Sequence, residues 1–244
     1  MDKELTLFHL YPDVMNLYGE YANLAVLRRH LEALGAAVTV RPVTCEDRPD
    51  FSGADFLYMG AGAERGQKYV LEQLRPHGDG LKAAVDAGAV LLFTGNAMET
   101  LGASVTDAGG KVWPGLGLAG FATVETDRRD PGDVVAHTPL WESAVVGFMN
   151  KCSVTRGITS PLFDRLTLGF GNEAEKGAEG YASGNVFATH LTGPALVKNP
   201  DFTDFLIRRI FEAKNWEPPQ ALPVLPHERE AYGVTLAELT ARVK

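Results

Sequence analysis

Two cysteines, six histidines and a few glycine-rich turns are the main resources this 244-residue chain offers to covalent or acid–base chemistry. Cys45 and Cys152 stand far apart, without CxxC or metal-ligand spacing, so both read as free thiols and no metal centre is expected. Two segments have the grammar of strand-end turns. In MGAGAERGQ, Gly60 and Gly62 would let backbone approach a ligand closely, while the bland alternative is an ordinary turn. In TGNAMETLG, a strand runs through Gly95 and Asn96 into a helical turn, at the carboxyl end of a strand where α/β enzymes seat reactive groups. Arg129 in ETDRRDPGD, Asn150 and the acidic pair Glu173 and Glu175 are further candidates for a pocket wall, each with a solvated-loop reading beside it. His190 precedes a Gly-Pro pair by three residues and reads first as a structural strand histidine.

The elements that must position these residues follow from periodicity. Leu5–Leu10 is a short apolar run suited to a buried strand. Leu24, Leu27, Leu31 and Leu34 form one face of a helix that Gly35 closes, and Ala36–Val43 makes a second strand. This strand, helix, strand crossover is expected to be parallel and right-handed. Ala54–Met59 and Ala89–Phe93 read as core strands, with helices over Tyr69–Leu74 and Gly80–Ala87. Shorter strands follow at Gly120–Thr126, Asp133–Ala136, Val145–Met149, Leu166–Phe170 and Asn185–Leu191. An amphipathic helix over Phe202–Lys214 closes the pattern, before a Pro-rich tail and a short terminal helix within 215–244.

Hydrophobic residues make up 45% of the chain, enough for one substantial core, so residues 1–244 are expected to form a single α/β domain. A net charge of −8 supplies no cationic field for phosphates or anionic lipid, which argues against nucleic acid and membrane surfaces. The apolar runs are too short to span a bilayer, and MDKELTLFHL has acidic residues where a signal peptide has a basic flank. A cytoplasmic protein is expected. No Walker or dinucleotide fingerprint is present, so no cofactor is expected and any ATP requirement belongs to a partner.

Several segments together resemble the class I glutamine amidotransferases of the cobyric-acid-synthase-type (CobB/CobQ-like) branch, most of all the GatD subunits of lipid II isoglutaminyl synthase. The most specific is YPDVMNLYGEYANLAVLRRHLEALG, with Asn16, Leu17, Tyr18 and Asn23 in the family's places and Ala22 where Gly is usual. MGAGAERGQ, VVGFMN, LGFGNEAEKGAEG and THLTGPALVKNPDFTDFLI agree as well, so the resemblance spans nearly the whole chain. It implies a three-layer, flavodoxin-like fold: a mostly parallel central sheet with helices on both faces. It also implies a glycine turn whose N–H groups meet an oxyanion, and a glutamine-engaging arginine near Arg129.

The family's chemistry is interrupted at three places. Where the resemblance implies a nucleophilic Cys in a Cys-Gly-Gly-Tyr-Gln stretch, this chain has Gly95-Asn96-Ala97-Met98-Glu99. A glycine forms no thioester. Where Tyr-Leu-His-Gly-Pro supplies the base, Thr192 replaces the His, and Lys151-Cys152 stands where His-Gly follows Gly-Phe-x-Asn.

Three functions are therefore weighed. The first is a non-hydrolysing GatD-like subunit or paralogue beside a MurT-like Mur ligase that activates the peptidoglycan stem with ATP. The second is an active glutaminase subunit with Cys152 or another substitute nucleophile. The third is a sensor that binds glutamine or a related amino acid without turnover. Gly60, Gly62, Asn96, Arg129, Asn150 and His190 are the expected ligand contacts, around the degenerate positions Gly95 and Thr192.

Overall fold

The computed structural model describes residues 3–173, 177–223 and 225–243. Its first sheet has the strand order β10-β11-β4-β3-β1-β2, from β1 (Lys3–Leu10), β2 (Ala36–Val43), β3 (Phe56–Met59), β4 (Val90–Thr94), β10 (Tyr181–Ser183) and β11 (Val186–Thr189). All pairings are parallel except that of the edge strand β10.

Strand alternation assigns the two faces. Leu5, Leu7, Phe56, Tyr58, Val90 and Leu92 pack with Leu24, Leu27 and Leu31 of α1 (Tyr21–Ala33) and with Phe202, Leu206 and Ile210 of α5 (Pro200–Ala213). Phe8, Leu10, Leu57, Met59, Leu91 and Phe93 pack with Val70 and Leu74 of α2 (Glu64–Leu74) and Leu81 of α3 (Gly78–Asp86). Each fully buried leucine or phenylalanine contributes about 1.5–3 kcal/mol to this sandwich. The result is the α/β three-layer architecture, with helices on both faces of a mostly parallel sheet.

The strand candidates of the second half assemble separately. A second sheet has the order β12-β8-β7-β5-β6, with β9 also paired to β7. It comprises β5 (Ser104–Thr106), β6 (Val112–Pro114), β7 (Ala122–His137), β8 (Val145–Arg156), β9 (Arg165–Leu168) and β12 (Leu191–Thr192). The two expected strands Gly120–Thr126 and Asp133–Ala136 are one strand, β7, interrupted by a register shift between Glu125 and Asp130. The Asp- and Gly-containing stretch that reads as a turn is a bulge. The expected strand Asn185–Leu191 splits at His190, where the chain passes from the first sheet to the second.

Two helix boundaries also differ. α2 starts at Glu64, five residues before the expected Tyr69, and takes in Gly66, which reads as a turn residue but sits where a Cβ would approach Val14 Cγ1 to 2.9 Å. The terminal helix α6 (Pro226–Ala241) has 16 residues and is not short. Its Leu239 packs with Val135 and Val146, and its Tyr232 hydroxyl donates to Ala144 O at 2.7 Å. α4 (Ala195–Lys198) abuts α1. Among the described residues no helix is long and apolar enough to cross a membrane.

Candidate functional site

β4 is buried along its length and ends at Thr94, where the chain turns through Gly95 into a tight helical turn over Gly95–Leu101. Gly95 has φ +60°, in the left-handed region that L side chains rarely adopt. A Cβ on Gly95 would overlap Ala61 Cβ, and would lie 3.2 Å from Ala61 Cα and 3.3 Å from Thr192 Cγ2. The elbow therefore faces Ala61 and Thr192 directly. Thr192 turns its hydroxyl away to donate to Phe148 O at 3.1 Å.

Opposite the elbow, the glycine turn after β3 is shaped mainly by the amino-terminal loop. A Cβ on Gly60 would overlap Glu20, and one on Gly62 would lie 2.5 Å from Met15 Sδ and 3.0 Å from Val14 O. The need for glycine at both positions is met by close packing of Met15 and Glu20. Gly60 lies behind the pocket, whereas Gly62 lines it. The Gly62 N–H donates to Asn96 Oδ1 at 3.0 Å, and Asn96 Nδ2 donates back to Gly62 O at 2.8 Å.

These turns open on a pocket that encloses about 130 Å³. One wall comes from β7 and β8. The register shift in β7 carries Arg129 across the pocket to pair with Glu64. Its guanidinium also donates to Asn150 O at 3.1 Å and Cys152 Sγ at 3.4 Å. Burial is the largest single influence on Glu64 and opposes its ionisation, but the hydrogen bonds from Arg129, its own backbone N–H and Cys152, with the Arg129 charge, together outweigh it and hold the carboxyl below its usual range. Cys152 has the opposite environment. Burial and the adjacent Glu64 carboxylate push its thiol up to about 11, against the weaker pull of Arg129. Such a thiol is protonated at neutral pH and a poor nucleophile. Asn150 Nδ2 donates to the Tyr18 hydroxyl at 2.8 Å, and Asn150 Oδ1 has no hydrogen-bond partner among the described residues.

The floor is a buried polar knot around His190. Glu179 Oε1 accepts the His190 backbone N–H at 2.7 Å and lies 3.1 Å from its Nδ1, while Thr189 Oγ1 donates to Glu179 Oε2 at 2.6 Å. The other ring nitrogen, Nε2, lies 3.7 Å from Glu99 Oε1 and 3.4 Å from Thr155 Oγ1. Glu99 accepts from Ser153 Oγ at 2.5 Å and Gln67 Nε2 at 2.7 Å. Lys151 is tied to Gly171 O at 2.6 Å and Asn172 O at 2.9 Å, and burial pushes its ammonium down from the usual lysine range.

Thus Gly62, Gly95, Asn96, Arg129, Asn150, His190 and Thr192 share one pocket, and Gly60 stands behind it. Thr94 also faces away, donating to Glu20 Oε2 at 2.9 Å. Glu173 pairs with Arg156 at 3.4 Å outside the lining, and Glu175 lies outside the described residues. Sequence reasoning missed Glu64, Glu99, Glu125 and Ser153 as lining residues. The acidic residue four places past the elbow, Glu99, was the one accessible signal. Among the described residues no group of three or more His, Cys, Asp or Glu side chains is arranged to hold a metal ion.

Comparison with known proteins adds independent evidence. Residues 6–200 match the model of the CobB/CobQ-like glutamine amidotransferase domain. The lipid II isoglutaminyl synthase (glutamine-hydrolyzing) subunit GatD of Staphylococcus aureus is 30% identical over 211 residues, 86% of each chain. Its counterpart from Streptococcus pneumoniae is 29% identical over 244 residues, 99% of this chain and 92% of that one. Among solved structures, a glutamine amidotransferase from Thermotoga maritima superposes with a TM-score of 0.50 at 9% identity, covering 98% of this chain and 97% of the other. A second glutamine amidotransferase gives 0.51 at 16% identity, covering 86% and 99%. These two likenesses speak to the fold alone.

Proposed function

We propose, from the premise that this chain belongs to the CobB/CobQ-like glutamine amidotransferase family, that it is a GatD-like subunit of lipid II amidation that does not itself hydrolyse glutamine. The observation that carries this reading is the elbow. At the end of β4, the place from which a nucleophile would meet a substrate carbonyl is Gly95, and the volume a side chain would need is filled by Ala61 and the Thr192 methyl. Neither position can supply a thiolate or an imidazole. Cys152, the one thiol in the pocket, is held protonated beside a carboxylate.

The role in peptidoglycan precursor amidation rests on the two GatD relatives, which are subunits of lipid II isoglutaminyl synthases. On this reading the partner is a MurT-like Mur ligase in a heterodimer, which binds ATP and activates the acceptor, and the work takes place in the cytoplasm. Residues 1–244 act as one amidotransferase-like domain. The passage of the chain at His190 from one sheet to the other, and the packing of α6 on β7 and β8, support that unity.

A second reading draws on the pocket itself: with Arg129, Glu64 and the unpartnered Asn150 Oδ1 in its wall, it offers charged and polar groups to glutamine or a related amino acid held without turnover.

Glutamate release from glutamine, measured for the purified chain alone and with a MurT-like ligase, tests the main reading. No release above the uncatalysed rate is expected in either mixture. Sustained release by wild type sinks the reading, and its loss in Cys152→Ala assigns the nucleophile to Cys152. Failure of chain and ligase to co-purify counts against the heterodimer.

A further inference from the structure

We propose that Asn96 is a tethered carboxamide that occupies the pocket's glycine turn and thereby sets ligand selectivity against side chains that carry a carbonyl. The inference rests on the reading of this pocket as an amino-acid site and adds the residue that tunes it.

Gly62 and Asn96 both line the cavity. The Gly62 peptide presents there one donor and one acceptor, and the Asn96 side chain takes both, at 3.0 and 2.8 Å. These are ordinary amide–amide distances, arranged as in a bridge between two strands. Asn96 is also held from behind, because its backbone carbonyl accepts from Gln67 Nε2 at 2.5 Å and Gln67 is fully buried. The carboxamide therefore arrives at Gly62 already oriented, with little entropy left to lose.

The consequence is an accounting of hydrogen bonds. A ligand carbonyl that reaches for the Gly62 N–H must first displace Asn96 Oδ1, and in doing so strips Gly62 O of its donor. Two protein hydrogen bonds are exchanged for one to the ligand. The α-ammonium and α-carboxylate of an amino acid need no such exchange. Glutamine is thus bound without benefit from its side-chain carbonyl, no better than an unbranched apolar amino acid of similar length.

The test compares L-glutamine with L-norvaline, which lacks the side-chain carbonyl, by NMR titration of wild type, Asn96→Ala and Asn96→Asp. Asn96→Ala frees the Gly62 N–H and is expected to tighten glutamine about 3- to 10-fold, the worth of one ordinary hydrogen bond, with norvaline unchanged. Asn96→Asp keeps an acceptor on that N–H and is expected to bind glutamine no tighter than wild type. Backbone amide exchange at Gly62 is expected to be slow in wild type, faster in Asn96→Ala, and slowed again by glutamine in that variant only.

Equal tightening of both ligands in Asn96→Ala means that truncation merely enlarged the pocket, and overturns the proposal. So does unchanged glutamine affinity, or the absence of glutamine binding to every variant. If Asn96→Ala does not fold, unprotected Gly62 exchange in wild type overturns it, and slow exchange with glutamine and norvaline bound equally supports it. Glutamate release by wild type removes the non-hydrolysing reading and leaves this selectivity comparison standing.

Discussion

Two buried polar knots flank the Gly95 elbow, and they differ in what they face. Behind it, Glu20 accepts from the Gly193 N–H at 2.7 Å, Thr94 Oγ1 at 2.9 Å and the Tyr58 hydroxyl at 3.1 Å. Asn23 joins the same knot, donating to Tyr58 at 2.7 Å and accepting from the Leu196 N–H at 2.8 Å. These bonds stitch the amino-terminal loop and α1 to β3, β4 and the start of α4, and none of the residues Glu20, Asn23, Tyr58 and Thr94 lines the pocket. In front, the His190, Glu99, Glu179 and Ser153 knot is also buried, yet three of its members line the floor of the pocket. The first knot holds this chain's fold together and asks nothing of the chemistry at the elbow. It explains how the opening segment, with its Asn-Leu-Tyr and following Asn, persists in a chain that has no thiol at the elbow.

Breaking the rear knot should have the largest effect. Glu20→Ala strands the buried Gly193 N–H and takes from Thr94 and Tyr58 the carboxylate they donate to, and is expected to cost about 3–5 kcal/mol, read from chemical denaturation. The charge of Glu20 adds a pH signature. Burial pushes its carboxyl above the ordinary range, against the donors from Gly193, Thr94 and Tyr58 that pull it down. The folded state then holds the proton more tightly than the unfolded state. The Glu20 contribution is present in full below the ordinary carboxylate value and is lost as pH rises through the raised folded value. Glu20→Gln carries no such proton, so the stability difference between it and wild type should change across that window. A difference that stays flat from pH 4 to 8 would show that Glu20 does not titrate differently on folding.

The elbow between the knots is tested by adding atoms. Gly95→Ala places a Cβ at positive φ and against Ala61, and is expected to cost about 2 kcal/mol. Ala61→Gly removes the overlapping methyl, so the same substitution in that background should cost less. The difference in a double-mutant cycle measures the overlap alone. For the same reason, Gly95→Cys with Thr192→His is expected to regain less of the missing constellation than the triple variant that also carries Ala61→Gly. Additive costs for Gly95→Ala and Ala61→Gly would show that backbone strain, and not Ala61, bars a side chain.

Much of this was legible in the residues. The leucine spacing of α1 and the alternation of β2 follow from periodicity, and the core strands β3 and β4 from short apolar runs that are buried on both faces. The pocket's Gly62, Gly95, Asn96, Arg129, Asn150 and Thr192 stood out because they sit at strand ends or beside family motifs. What stayed hidden depends on three-dimensional register. The bulge between Glu125 and Asp130 brings Arg129 to Glu64, two residues 65 apart in sequence, and no local pattern reports it. The glycines at 60 and 62 read as ligand-approach positions, and the crowding of Glu20 and Met15 on Gly60 and of Met15 and Val14 on Gly62 is a second demand for glycine that the sequence does not display. Glu99 and Glu179 meet His190 from distant parts of the chain and Ser153 of β8 meets Glu99, so their knot exists only after both sheets have formed.

The smallest effect is the one that separates the front wall from a working nucleophile site. Cys152 lies between Glu64 Oε1 at 3.3 Å and Arg129 at 3.4 Å, with burial and the carboxylate together prevailing. Alkylation by iodoacetamide should therefore be slow at pH 7 and rise steadily toward a thiol value of about 11, without a plateau near neutrality. Replacing Glu64 by Gln removes a negative neighbour and should move the profile to lower pH. Replacing Arg129 by Ala removes a cation that opposes it and should move the profile further up. Cys152→Ala itself should change stability by less than about 1 kcal/mol, since it breaks only weak sulfur contacts. A plateau below pH 8 in wild type would place a thiolate in this pocket, and the front wall would then be a site prepared for chemistry instead of one arranged against it.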